Sequence, residues 1–173
     1  MSAKHISASN EAKSAQAADW KFRQTAGQFA RSGYSISGTL DAALLERTTE
    51  DGTEVHDATA SITALQAASG SAVTGQRSGF TVGVAARLGL TCQSCGALFE
   101  LPVNSRSTIY VAHDVAELAD WEDEDFDSVE ANEKTSALDL VEDELLLAIP
   151  YVARCERCEV RPDDGEPRVY EFS

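Results

Sequence analysis

The chain has 173 residues, 43 % of them hydrophobic, and a formal net charge of −15. That size is one domain with enough length to bury a sizeable core. No apolar run approaches the ~18 residues that span a bilayer, and residues 1–19 lack the apolar core of a secretory signal, so membrane and export classes are excluded and a reducing, cytoplasmic setting is expected.

Residues 1–18 are polar and Ala/Ser-rich, the composition of a disordered segment ahead of a single domain over 19–173. Residues 19–31 predict a short helix anchored by Trp20, Phe22 and Phe29 and ended by Ser32-Gly33. Residues 34–40 alternate in the manner of a strand, with Gly38 as a candidate bulge. Asp41 is placed to cap a helix over 42–48. Asp51-Gly52 marks a turn, 58–65 a second strand, and 67–76 a loop of small polar residues.

The clearest two-residue period follows. Phe80, Val82, Val84, Ala86, Leu88 and Leu90 share one face of a strand, and Leu101, Val103, Ser105, Ser107, Ile109 and Val111 continue in a second. The two predict an antiparallel hairpin with Cys92-Gln93-Ser94-Cys95 at its tip and Gly96 supplying the backbone freedom of a tight turn.

Residues 114–145 hold fourteen acids and one base, Lys134, so this strip carries nearly all of the net charge. It reads as a solvated, mobile segment over 114–135, or as a contact for a basic partner. Trp121 and Phe126 inside it point to a segment that folds onto a partner or onto the domain itself. Ser136 to Asp139 then fits a capping box. Leu138, Val141, Leu145 and Ala148 or Ile149 form an apolar stripe. Glu142, Asp143 and Glu144 are assigned to the opposite side, one of them free to reach an arginine in a buried ion pair, and Pro150 stops the helix. A short strand is expected over 168–172.

A second Cys-x-x-Cys pair, Cys155 and Cys158, completes the cysteine inventory. Four thiols in two such pairs match the ligand count of a closed tetrahedral zinc site, with no open position for catalysis. Two local disulfides or a redox pair at Cys92 and Cys95 are the competing readings. Arg154, Arg157, Arg87 and Arg106 are candidates to offset the charge of a thiolate cluster, and Trp20, Trp121, Phe126 and Tyr151 are aromatic anchors or base-stacking candidates. The histidines His5, His56 and His113 have no partner motif. There is no phosphate-binding loop and no nucleophile elbow, so neither an enzyme nor a small-molecule substrate is indicated. The fold class is α+β, a mainly antiparallel sheet with two or three helices.

Two motifs together resemble the YceD family of large ribosomal RNA subunit accumulation proteins. Leu90 to Gly96 (LTCQSCG) is similar to that family's C-Q-R-C hairpin, and Val141 to Pro150 (VEDELLLAIP) to its V-E-D-E-x-x-L-A-L-P helix. Residues 34–50, with Gly38, Glu46 and Arg47, are compatible with its N-terminal strand and helix. The resemblance covers roughly 20–160. It implies a non-enzymatic role in accumulation or processing of large-subunit (23S) ribosomal RNA. The partner it implies is precursor RNA or a ribosomal protein, with Arg47, Arg87, Arg106, Arg154 and Arg157 as candidate contacts. The chain departs from the family at Ser94, where an arginine is usual. A zinc-stabilised adaptor whose acidic strip holds a basic client, without RNA contact, is the alternative.

Overall fold

The computed structural model describes residues 17–50, 52–65, 77–121 and 126–159. The segments expected over 67–76 and 168–172, most of 1–18, Asp51 and His5 lie outside them.

The alternating segments assemble into a five-stranded sheet in the order β2-β3-β4-β5-β6. Its strands are β2 (Ser35–Thr39), β3 (Glu54–Ala64), β4 (Gly79–Thr91), β5 (Leu98–Ala112) and β6 (Asp127–Glu130). The first four are antiparallel, and β6 pairs parallel to the end of β5 through Ile109↔Asp127 to Ala112↔Glu130. The two strands of the hairpin are in register along their whole length, from Gly79↔Tyr110 to Thr91↔Leu98. Phe80, Val82, Val84, Ala86, Leu88 and Leu90 are all buried on one face, as their spacing requires.

Among the described residues, helices pack on that face. The main one, α5 (Ala137–Ala148), begins at a capping box in which Ser136 Oγ accepts the Asp139 N–H and the Asp139 carboxylate accepts the Ser136 N–H, both at 3.1 Å. It buries Leu138, Val141 and Leu145 against β4 and β5, each contributing about 1.5–3 kcal/mol from apolar burial. It ends at Ile149 in extended conformation before Pro150.

Four local expectations are corrected. Residues 19–31 do not form one helix but α1 (Ala17–Lys21), a strand β1 (Arg23–Thr25) and a turn of helix α2 (Ala26–Phe29). The reason is tertiary. β1 pairs antiparallel with β7 (Lys134–Ser136), and the Ala26 and Gly27 N–H groups donate to the Glu133 and Ala131 carbonyls at 2.8 and 3.0 Å, which takes the donors a continuous helix needs. Trp20 and Phe29 are buried anchors, but Phe22 is 66 % exposed at the break. The helix expected over 42–48 is divided into a 3-10 turn (Ala42–Leu44), whose Ala43 N–H donates to Asp41, and α3 (Glu46–Thr49), with Leu45 between them outside helical geometry. Gly38 pairs in regular register with Ala60. The bulge is in β3 between His56 and Thr59, where Asp57 has φ 52°. Finally, among its described residues the acidic segment over 114–135 is not all loop. It contains α4 (Val115–Asp120), capped by Asp114 through the Ala116 and Glu117 N–H groups at 3.0 Å, together with β6 and the start of β7. No helix among the described residues is long and apolar enough to cross a membrane.

Candidate metal centre and the acidic helix

The hairpin register sends Thr91 and Leu98 out as the last pair, so Cys92 and Cys95 sit at the tip. The turn is closed by the Cys92 N–H on Ala97 O and the Gly96 N–H on Cys92 O, each 2.8 Å, with Gly96 at φ +69°. A side chain at that φ is strained, so glycine is the residue that fits. The second pair arrives from the end of α5. Ala153 O accepts the Gln93 N–H at 2.9 Å, and Gln93 Nε2 donates to Tyr151 O at 3.3 Å. These two bonds stitch the segment after Pro150 to the knuckle. Cys155 then enters a single helical turn, α6 (Glu156–Glu159), whose Cys158 N–H donates to Cys155 O at 2.8 Å.

The four sulfurs lie within 4.8 Å of one another, and Cys95 and Cys155 approach to 3.8 Å. A tetrahedron with ~2.3 Å metal–sulfur bonds has sulfur–sulfur edges of about 3.8 Å. A disulfide needs about 2.05 Å, and all four thiols are free. The two pairs therefore converge on a single point, an arrangement consistent with a metal site and compatible with zinc. Local disulfides are not formed. Cys92 and Cys155 are buried and Cys95 is exposed.

Backbone donors have prepared this point for negative charge. The Cys155 N–H above all, with those of Cys95 and Ser94, holds the Cys92 thiol at about 6, although burial opposes the shift. Cys158 moves the other way, to about 12, because Cys95, Cys155 and Cys92 take up its proton in hydrogen bonds. The quartet without a cation thus keeps protons between its sulfurs, and a cation takes their place when ligands ionise.

The candidate arginines scatter. Arg154 and Arg157 are exposed beside the cysteines, with no hydrogen-bond or ion-pair partner among the described residues. Arg87 is on the sheet face away from the helices, held by Asp57 and by Glu100 at 3.1 Å; this contact fixes its guanidinium, so it does not serve the sulfurs. Arg106 pairs with Gly83, eight residues up β5 from Leu98, or about 26 Å along the strand. It too is remote from the cluster. His113 lies beyond the other end of β5 and faces Asp114 at 3.8 Å. Tyr151 is 97 % exposed at the cysteine end, whereas Trp20 is core. Trp121 and Phe126 fold onto the domain: Arg77 stacks over both rings, 5.1 and 4.6 Å from their centroids, and Phe126 meets Tyr110 at 4.9 Å.

The acidic triplet of α5 is not a solvated face. Glu142 and Glu144 are buried, 3 % and 6 % exposed. Glu142 Oε1 accepts the Arg47 and Thr48 N–H groups at the start of α3, 2.8 and 3.3 Å away. Leu45 cannot cap that turn with its own side chain, so the neighbouring helix supplies the acceptor. Asp143 pairs with the Arg47 guanidinium at 2.6 Å in a half-exposed position. Glu144 accepts the Ser105 hydroxyl and, at 2.5 Å, the Ser107 hydroxyl. Among the described residues the expected buried ion pair is therefore not formed, and its place is taken by neutral donors. Two serines on an otherwise apolar inward face were the available signal for this contact.

A model of the family described as large ribosomal RNA subunit accumulation protein YceD matches residues 80–170. That span runs from β4 past the last cysteine and includes all of α5 and both Cys-x-x-Cys pairs. No curated protein and no solved structure matches the chain. The match takes in more than half of the sequence, and with it the knuckle and the acidic helix described above: the chain belongs to the YceD family of large ribosomal RNA subunit accumulation proteins.

Proposed function

We propose that the chain is a non-enzymatic, cytoplasmic ribosome-biogenesis factor that supports accumulation or processing of 23S ribosomal RNA, with one structural zinc ion held by Cys92, Cys95, Cys155 and Cys158. The observation that carries this reading is the family match over residues 80–170. The metal is supported by the convergence of four sulfurs contributed from two segments that other contacts already join. Four thiolates complete a zinc shell and leave no place for a reacting water, so the ion's work is to fasten the tail to the hairpin.

A non-catalytic role is supported by how the carboxylates are used. Glu142, Asp143 and Glu144 are each committed to a structural donor, which leaves them unsuited to acid–base chemistry on a substrate. The partner is a large-subunit precursor RNA or a ribosomal protein bound during assembly.

The test is made in cells. Depleting the chain lowers the ratio of mature large-subunit to small-subunit ribosomal RNA and raises large-subunit precursors. A chain with Cys155→Ser and Cys158→Ser fails to restore the ratio. Unchanged ribosomal RNA on depletion removes the assembly role.

The adaptor reading draws on the acidic strip. Two elements within it, α4 and β6, lie at the end of β5 remote from the cysteines, and Asp114 is held ionised well below the usual carboxylate range by the Glu117 N–H, with the Ala116 N–H and His113 adding to the effect. A basic client captured there in the absence of RNA favours it.

A further inference from the structure

We propose that the open face of the five-stranded sheet binds the phosphodiester backbone of RNA, with Arg106 as its central contact; this rests on the ribosomal reading and assigns the surface that serves it.

The helices pack on one side of the sheet; on the other, Phe126 meets Tyr110 at one end, and the described residues leave the middle rows open. Across that open side runs a row in register, Ser37↔Ser61↔Gly83↔Arg106, with parallel rows above and below it. Of the twelve residues in these three rows, eight are Ser or Thr, and none is Asp or Glu. The chain as a whole carries 29 acids in 173 residues. A surface this size without one is the place where a polyanion meets least repulsion.

The centre of the face is concave. A depression of about 300 Å³ is lined by Thr59, Ser61, Gly83, Asn104 and Arg106 among others. Gly83 makes its floor. A methyl group there would lie 3.2 Å from Ser61 Oγ and 3.9 Å from Arg106 Nε, so a hydroxyl and a guanidinium flank one point. Arg106 has no hydrogen-bond or ion-pair partner among the described residues. Arg87, on the same face nearer the cysteines, is held by Asp57 and Glu100. The difference leaves one guanidinium available to an external anion, ringed by hydroxyl and amide donors.

That donor set is the one that contacts phosphate oxygens. The central rows hold no aromatic ring on which a base stacks, and no large apolar side chain that anchors a protein partner. Contact is therefore to the backbone, tolerant of sequence and sensitive to salt.

The experiment uses the full chain and a fluorescein-labelled oligouridine, followed by anisotropy across a salt series. Arg106→Glu weakens binding at least tenfold. Arg106→Ala lowers the slope of log K against log salt by about one. Arg31→Glu, the same charge change on the other side of the molecule, alters binding less than twofold, and both Glu variants keep the wild-type melting temperature. Equal loss in Arg106→Glu and Arg31→Glu overturns the proposal, as does an absence of RNA binding by the wild type. A photocrosslinker at Asn104 that captures a ribosomal protein or a second copy, and no RNA, overturns it as well. If wild type binds no RNA while depletion in cells still lowers large-subunit RNA, this surface falls and the assembly role stands.

Discussion

The Glu142 carboxylate accepts the backbone N–H of Arg47 at 2.8 Å, across 95 residues of chain. Through that bond, α5 terminates an element it does not adjoin in sequence. Removing the acceptor leaves the first donors of α3 without a partner in a site where Thr48 is buried, a loss of about 1–3 kcal/mol. Glu142→Ala is therefore expected to lower the urea midpoint clearly, and Glu142→Gln, which keeps an oxygen, less so. Asp143→Ala breaks only the half-exposed ion pair to Arg47 and costs under about 1 kcal/mol. Equal midpoint shifts for Glu142→Ala and Asp143→Ala would contradict this division of labour.

Glu144 makes a second clamp, from the same helix to the middle of β5. Its partners are the hydroxyls of Ser105 and Ser107. Deleting both serines strands a buried carboxylate, whereas replacing all three groups by apolar ones removes the polar demand altogether. The Ser105→Ala, Ser107→Ala chain should lose about 2–4 kcal/mol, and adding Glu144→Leu to it should restore part of that. A coupling of about 1–3 kcal/mol in the full cycle is expected; strict additivity across the cycle would show that the contact carries no energy.

The sequence made legible those features that one segment sets alone, and one that a repeated spacing in two segments announces. Alternation placed the inward residues of β4, Ser136 and Asp139 announced the helix start, and paired spacing put the four cysteines at one point. What escaped was decided between segments. Arg23 to Thr25 turn extended because Lys134 to Ser136 offer a strand to pair with, a demand no local propensity contains. The acidic segment takes strand form at β6 because the edge of β5 has unpaired backbone groups there. Glu142 and Glu144 carried the strongest misleading signal, since charge on a helix is normally solvated. The compensating donors, two serines on β5 and the start of α3, lie 37 residues or more away.

Metal uptake should release fewer than four protons at pH 7.5. Cys92 has a value of about 6 in the folded chain and is already a thiolate there, whereas Cys158, at about 12, holds its proton until the cation displaces it. Calorimetric zinc titrations in buffers of different ionisation enthalpy count the released protons. The number should rise as pH is lowered below 6, where Cys92 regains its proton. The same shifts set the pH response of the metal-free fold. Cys92 lies below its ordinary 9.0, so its contribution is complete above pH 9 and lost as pH falls toward 6. Cys158 lies above 9.0, so its contribution is complete below pH 9 and lost as pH rises through about 12. Four protons released at pH 7.5 would mean that Cys92 is an ordinary thiol, and that the N–H groups of Cys155, Cys95 and Ser94 do not act on it.

The acidic strip is tied down at one spot. Arg77 covers the faces of Trp121 and Phe126, Trp121 is 8 % exposed, and Phe126 stands edge-on to Tyr110 of β5. Between these two rings the chain carries four consecutive acids, whose mutual repulsion opposes folding. The rings and the guanidinium supply the offset, about 0.5–2 kcal/mol for each cation–π contact. Phe126→Ala removes one ring and the Tyr110 contact together. Because β6 follows directly at Asp127, its short parallel pairing with β5 should weaken first. Hydrogen exchange of the amides in 127–130 is expected to accelerate more than tenfold in Phe126→Ala, while the amides of β3 and β4 exchange at the wild-type rate. Arg77→Ala should produce a smaller effect in the same amides. Uniform acceleration across the sheet would instead show that this aromatic cluster supports the whole fold, and unchanged exchange in β6 would show that the parallel strand is held by its own four residues.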